Sequence, residues 1–250
     1  MAKITVPGTT VGLLTTTSKM PSSSWSLPAV RSCPSAFFGD AARRVNGQIL
    51  NVATNSICGS CYADKGFYTW PVVKAAQDAR FQYAIKAASD AATGDDFVAR
   101  MSDAIEREAL RQEKRYYRSV ARGDREMGTF QAIFRVHDSG DLFSPQYAAL
   151  WVRICTALPT VNFWFPTRQW RCKNLHMLAV LTTLAALPNV SVRPSALNFE
   201  DAAPVVPGLS AGTTATATGG FTCPASQQNG QCLDCRACWS KDIEVSYHRH

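Results

Sequence analysis

The 250-residue chain carries 26 Lys and Arg against 19 Asp and Glu, a formal net charge of +7, with 46% apolar and 10% aromatic residues; its pI of about 9.0 and mean hydropathy of -0.11 are those of an ordinary globular protein. No apolar run approaches the roughly 18 residues of a membrane span, so a soluble chain without a membrane partner is expected. The basic balance leans towards a polyanionic partner such as nucleic acid.

The N-terminus "MAKITVPGTTVGLLTTTSKMP" lacks the compact apolar core and small-residue cleavage site of a signal peptide. The nine cysteines are therefore read as thiols in a reducing cytoplasm, where ligand and catalytic roles outrank disulfides. Residues 1–36, rich in Ser, Thr and Pro, predict a loop arm lying over later segments. Two long helices follow: "PVVKAAQDARFQYAIKAASDAA" from Pro71, then "GDDFVARMSDAIEREALRQEKRYYRSVARG" with Asp95 and Asp96 in its first turn and Gly123 as its stop.

After Gly128 the pattern predicts strand 130–136, helix 144–158, strand 161–166, helix 174–187 and strand 190–195. Two consecutive βαβ units make the fold α/β with parallel strands, and parallel sheets bind ligands beyond the carboxyl ends of their strands. Those ends carry His137, Asp138 and Asp141, then Thr167 and Arg168, then Arg193 and Ser195. The division expected is an α/β catalytic domain over 1–207, a flexible linker over 208–222 and a cysteine-rich metal-binding tail over 223–250 packed on that domain.

In "HDSGD" the Ser139–Gly140 turn can fold Asp138 and Asp141 towards one pocket, and Ser144 with Pro145 behind it already supplies the helix cap. Two nearby carboxylates suit a nucleophile and a general base, because repulsion separates their pKa values. His137 joins them as a catalytic candidate, and Ser139, Gly140, Arg168 and Arg193 are candidate substrate-binding residues. Arg111, Arg115, Arg118 and Arg122 form one stripe on the second long helix, a candidate nucleic-acid contact; Phe67, Tyr68 and Trp70 in "KGFYTW" suit stacking on bases.

Cys223, Cys232, Cys235 and Cys238 follow a C-x8-C-x2-C-x2-C pattern in polar chain, with His248 behind as a substitute ligand and His250 two residues after it. Four soft donors so close together predict a metal, zinc or a 4Fe-4S cluster, and spacing does not choose between them. Cys33, Cys58 and Cys61 are one donor short of a closed site, the pattern of a second metal with an open position. Cys155 and Cys172 carry no assigned role.

"SWSLPAVRSCPSA", "ICGSCYADKGFY", "FRVHDSGDL", "FPTR" and the C-terminal CxxCxxCW resemble the phage family called gene product 88 across most of the chain. "DSGDLF" at Asp138, "PTR" at Pro166 to Arg168 and the later cysteines are also similar in order to the tRNA-guanine transglycosylases and the phage relatives that place 7-deazaguanine bases in DNA. That second resemblance implies a TIM-like barrel, compact or incomplete, with a structural zinc. It further implies an Asp nucleophile that exchanges guanine for a 7-deazaguanine such as 7-cyano-7-deazaguanine, in the host cytoplasm if the chain is phage-encoded. The chain departs at Asn162, where those enzymes keep their nucleophile, and at Asp141 in place of a glycine. Asp138 and Asp141 would then divide the two roles, or an acid such as Asp201 would enter. Two other classes stay open: a radical-type iron–sulfur enzyme using both cysteine sets, and a zinc-stabilised nucleic-acid-binding protein without catalysis.

Overall fold

The computed structural model describes residues 2–34, 42–45, 48–51, 55–216 and 219–248, with 42–45 and 48–51 in their backbone only. Strands β1 (Lys3–Val6) and β2 (Thr9–Gly12) form an antiparallel hairpin, as do β5 (Ala42–Val45) and β6 (Gln48–Asn51). The main sheet has the order β3-β4-β7-β8-β9, built from Thr15–Thr16, Ser23–Trp25, Ala132–Val136, Val161–Thr167 and Val190–Pro194. β4, β7, β8 and β9 run parallel, and β3 is antiparallel at one edge.

Helices α1 (Pro71–Ser89), α2 (Ala91–Ala121), α3 (Pro145–Ala157) and α4 (Leu175–Ala186) pack on one another in chain order. The strand period of two assigns the faces. Ala132, Phe134 and Val136 of β7, Val161, Phe163 and Phe165 of β8, and Val190 and Val192 of β9 join the helix-side core. Ile133 and Trp164 face the other way, into a cluster with Cys232, Cys238, Trp239 and Val245 of the C-terminal tail. Both faces of the sheet are therefore covered, as parallel strands require. Trp25, Trp151, Phe97, Phe134, Phe163 and Phe165 are fully buried, each worth about 1.5–3 kcal/mol of transfer free energy.

Fold class and the later elements agree with the sequence within one or two residues, including the Ser144 cap, which accepts from the Tyr147 N–H. The sheet itself is open among the described residues, with β3 and β9 at its edges, so the structure supports a parallel-rich α/β sheet and not a closed TIM barrel. α2 begins about a turn earlier than expected because Asp90 caps it: the Asp90 carboxylate accepts from the Thr93 N–H at 2.8 Å, which moves Asp95 and Asp96 into the second turn. Gly94 then lies inside the helix, where a Cβ would stand 2.9 Å from the Ala87 carbonyl oxygen. The expected loop arm contributes β4 to the sheet. "SSSW" hides that strand because its buried Ser24 breaks the apolar pattern.

The tail has its own three parallel strands, β10 (Thr213–Thr214), β12 (Val245–Ser246) and β11 (Phe221–Thr222) in that order. β10 falls inside the stretch expected to be a flexible linker, is buried, and bridges Ser195 at the end of β9.

Candidate functional site

The exits of β4, β7 and β8 and the loop carrying Cys58 and Cys61 meet at one edge of the sheet, and the HDSGD turn is where they are joined. The backbone N–H groups of His137 and Asp138 both donate to the Trp25 carbonyl, at 3.0 and 3.2 Å, so the turn leaves β7 still paired with β4. Ser139 is doubly tied to Leu27: its hydroxyl donates to the Leu27 carbonyl at 2.7 Å, and its carbonyl accepts the Leu27 N–H at 2.9 Å. Gly140 has a φ of +93°, and a Cβ there would lie 2.5 Å from Ser32 Oγ and 2.7 Å from Leu27 Cβ. Only glycine admits the loop that runs on to Cys33.

Asp141 faces β8. Its Oδ1 accepts from the Leu142 N–H and the Thr167 hydroxyl, both at 2.7 Å, and its Oδ2 from the Arg168 N–H at 2.9 Å. Burial still pushes its carboxyl up to about 6, against the pull of these three donors and of Arg168. Asp138 faces the segment after Cys61. Its carbonyl accepts from the Tyr62 hydroxyl, and its Oδ2 from the Tyr68 hydroxyl at 3.2 Å. Its Oδ1 meets no donor in hydrogen-bonding geometry. Burial raises the Asp138 pKa, while Arg135, Tyr68 and the nearby Ser24 and Ser26 hydroxyls favour the ionised form.

The Cys58–Cys61 loop is held at its other end by the Ile57 N–H, which donates to the Leu197 carbonyl at 3.0 Å, and by a bridge between Ser56 and Asn198. Arg168 reaches the same segment, its Nε donating to the Ala196 carbonyl at 3.0 Å. Cys33, Cys58 and Cys61 are thus near enough to Arg168 to act on its charge, and Cys33 near enough to Asp141. Burial opposes charge on Arg168, but the thiols of Cys58, Cys61 and Cys33 together with Asp141 raise its pKa. Cys33 is pushed up by burial first, then by Asp141, Cys61 and Cys58.

Several sequence-predicted residues are elsewhere. The His137 ring points into the helix-side core against Tyr147 and Trp151, where its Nε2 meets the Tyr147 hydroxyl at 2.9 Å. Burial and the Arg135 charge lower its pKa to about 3, so it is neutral and turned away from Asp138. Arg193, expected beside the aspartates, lies on the opposite face because its position in β9 alternates with buried Val192. Its Nε donates to the Cys238 carbonyl at 2.8 Å, its Nη1 to Ala211 and Ile243, and its Nη2 to Ala237 and Ser240. Its donors are spent on the tail.

On the arginine stripe, Arg111 and Arg115 pair with buried Glu108 at 3.0 and 3.2 Å, whose carboxylate also accepts the Ser23 N–H. Arg122 pairs with Asp124, and Arg118 is exposed without an ion pair among the described residues. Asn162 opens β8 at the other end of the strand, facing the tail.

Cys223, Cys232, Cys235 and Cys238 come together against Trp164 and Trp239, and Cys238 Sγ is 3.2 Å from the Tyr247 hydroxyl. His248 is exposed, and His250 lies outside the described residues. Among the described residues no three or more His, Cys, Asp or Glu side chains are arranged to hold a single metal ion. Tyr62 and Arg135 belong to the site but were not expected there. Arg135 donates to the Tyr62 hydroxyl at 3.1 Å and stacks 4.6 Å above Trp164. A cation in the middle of the apolar strand "FRV" was the available signal.

The family model described as gene product 88 matches residues 2–241. The chain belongs to the gene product 88 family. This bears out the phage family read from the motifs; no curated protein and no solved structure matches the chain, and the transglycosylase resemblance is not supported by these comparisons. In this gene product 88 chain the matched span takes in the HDSGD turn and all nine cysteines. No described helix is long and apolar enough to cross a membrane.

Proposed function

We propose that this gene product 88 chain is an iron–sulfur enzyme of radical type, with a cluster held by Cys33, Cys58 and Cys61 at the carboxyl edge of the sheet and one iron left open. The observation that carries this reading is the division of labour in HDSGD. Ser139 and Gly140 tie down the Cys33 loop, Asp138 holds Tyr62 and Tyr68 beside Cys61, and Asp141 fastens Arg168 among the thiols. Three thiols near a half-buried cation suit a group whose thiolate ligands need their charge offset. A single ion would need its donors about 2.3 Å from one point; in a cluster each thiolate meets its own iron, so the donors need not converge on one point. Such a cluster supplies single electrons to what binds its open iron. Cys223, Cys232, Cys235 and Cys238 are donors for a second metal, zinc or another cluster.

A second reading is favoured by the partnerless Oδ1 of Asp138: base exchange in DNA, with guanine leaving and a 7-deazaguanine entering. Asp138 would have to be the nucleophile alone, since Asp141 is occupied by three donors and Asn162 is at the far end of its strand.

One purification separates the two. Anaerobically prepared protein is expected to be brown, with iron and acid-labile sulfide. Cys33→Ala, Cys58→Ala and Cys61→Ala should each lower the iron and sulfide bound per chain, all of it if the tail binds zinc, while Cys155→Ala leaves both unchanged. Protein that stays colourless after anaerobic reconstitution with iron and sulfide sinks the cluster. If DNA co-expressed with a deazaguanine pathway then gains the modified nucleoside, and loses it with Asp138→Ala, the base-exchange reading replaces it.

A further inference from the structure

A cleft of about 480 Å³ opens where α2, the lead into β7 and the tail meet, within the size range of small-ligand sites. Ile133 and Asn162 on its floor belong to the starts of β7 and β8. It is therefore at the opposite end of the strands from Cys33, Cys58 and Cys61, roughly 20 Å away for a strand of this length. Arg115, Arg125 and Arg236 enter it from three separate segments, and among the described residues Asp234 is the one carboxylate lining it.

That carboxylate is shared. Asp234 pairs with Arg125 and stands 4.0 Å from Arg236, with its side chain 70% exposed. Exposed pairs of this kind contribute at most about 1 kcal/mol, so an anion of higher charge can take the place of Asp234. Arg125 is also steadied by the Tyr116 ring, 5.3 Å from its guanidinium, which lowers the ordering cost of binding. We propose that this cleft binds a phosphate group, with Asp234 as an internal stand-in for the ligand. The proposal is independent of the cluster proposed at Cys33, Cys58 and Cys61.

The test is fluorescence anisotropy with a labelled single-stranded oligonucleotide, with adenosine monophosphate and inorganic phosphate as competitors. Arg125→Ala should weaken binding about tenfold and reduce the salt slope by about one. Asp234→Asn should tighten binding by more than Asp103→Asn, which adds the same charge and frees Arg107 outside the cleft. Competition by the mononucleotide or phosphate at micromolar levels identifies a small phosphate ligand; its failure at millimolar levels, with oligonucleotide binding retained, identifies a nucleic-acid backbone. The proposal is overturned if Asp234→Asn tightens binding no more than Asp103→Asn, or if Arg118→Ala, outside the cleft, costs as much as Arg125→Ala. Unfolding midpoints of the variants should match wild type.

Discussion

Asp141 and His137 are four residues apart, both buried, and titrate in opposite senses. The Asp141 carboxyl is raised to about 6, so its contribution to stability is full below the unfolded value near 4 and is lost as pH rises through 6. The His137 imidazole is lowered to about 3, so its contribution is full above the unfolded value near 6.5 and is lost as pH falls towards 3. Between pH 4 and 6 the two oppose each other, each by up to about 1.4 kcal/mol per pH unit. Urea midpoints across that window should show the balance broken in either direction: Asp141→Asn should lose stability on acidification relative to wild type, and His137→Gln should gain it. If both variants keep the wild-type slope, burial does not act on these groups as described. The two carboxylates were legible in the sequence as a pair at a strand exit. Their roles were not, since the donors that occupy Asp141 come from Thr167 and Arg168, 26 and 27 residues later.

At the scale of elements, the turn between β7 and α3 acts as a fastener for loops remote in sequence. Gly140 is its most constrained point, with a left-handed φ and no room for a Cβ. Gly140→Ala combines backbone strain with overpacking against Leu27 and Ser32, an expected loss of about 2–4 kcal/mol. Denaturant unfolding measures it; a loss under about 0.5 kcal/mol would mean that the Cys33 loop gives way easily. The same variant is expected to bind less iron, because it displaces a loop that carries a proposed ligand. The βαβ elements were legible because their apolar periods are clean and their caps conventional. β4 was missed because it is short and serine-rich, and its parallel partner β7 lies over a hundred residues away.

For the whole molecule, Arg193 joins the sheet to the tail. Fully buried, it donates to carbonyls of residues 211, 237, 238, 240 and 243. Lys241 adds a second clamp by donating to the Ala185 and Leu187 carbonyls at the end of α4. Arg193→Lys offers a single ammonium to acceptors spread around a guanidinium, leaving buried carbonyls unpaired at about 1–3 kcal/mol each. The variant should show faster amide exchange through residues 237–246 and earlier proteolysis in the tail, with β7 and β8 still protected. Unchanged tail protection would show that the apolar contacts of Trp239 and Val245 hold it unaided.

The sequence by itself determined the α/β class, the two βαβ units, the family and the importance of HDSGD and the cysteines, because periodicity, caps and spacing are local properties. Only the tertiary structure decided what those residues face. Arg193 lies near the end of β9 and Arg168 just after β8, yet one is turned into the tail and the other lies near three cysteines. Asp141 could be read as a catalytic base until Thr167 and Arg168 were seen to occupy it. Contacts between distant segments assign these roles, and no local pattern encodes them.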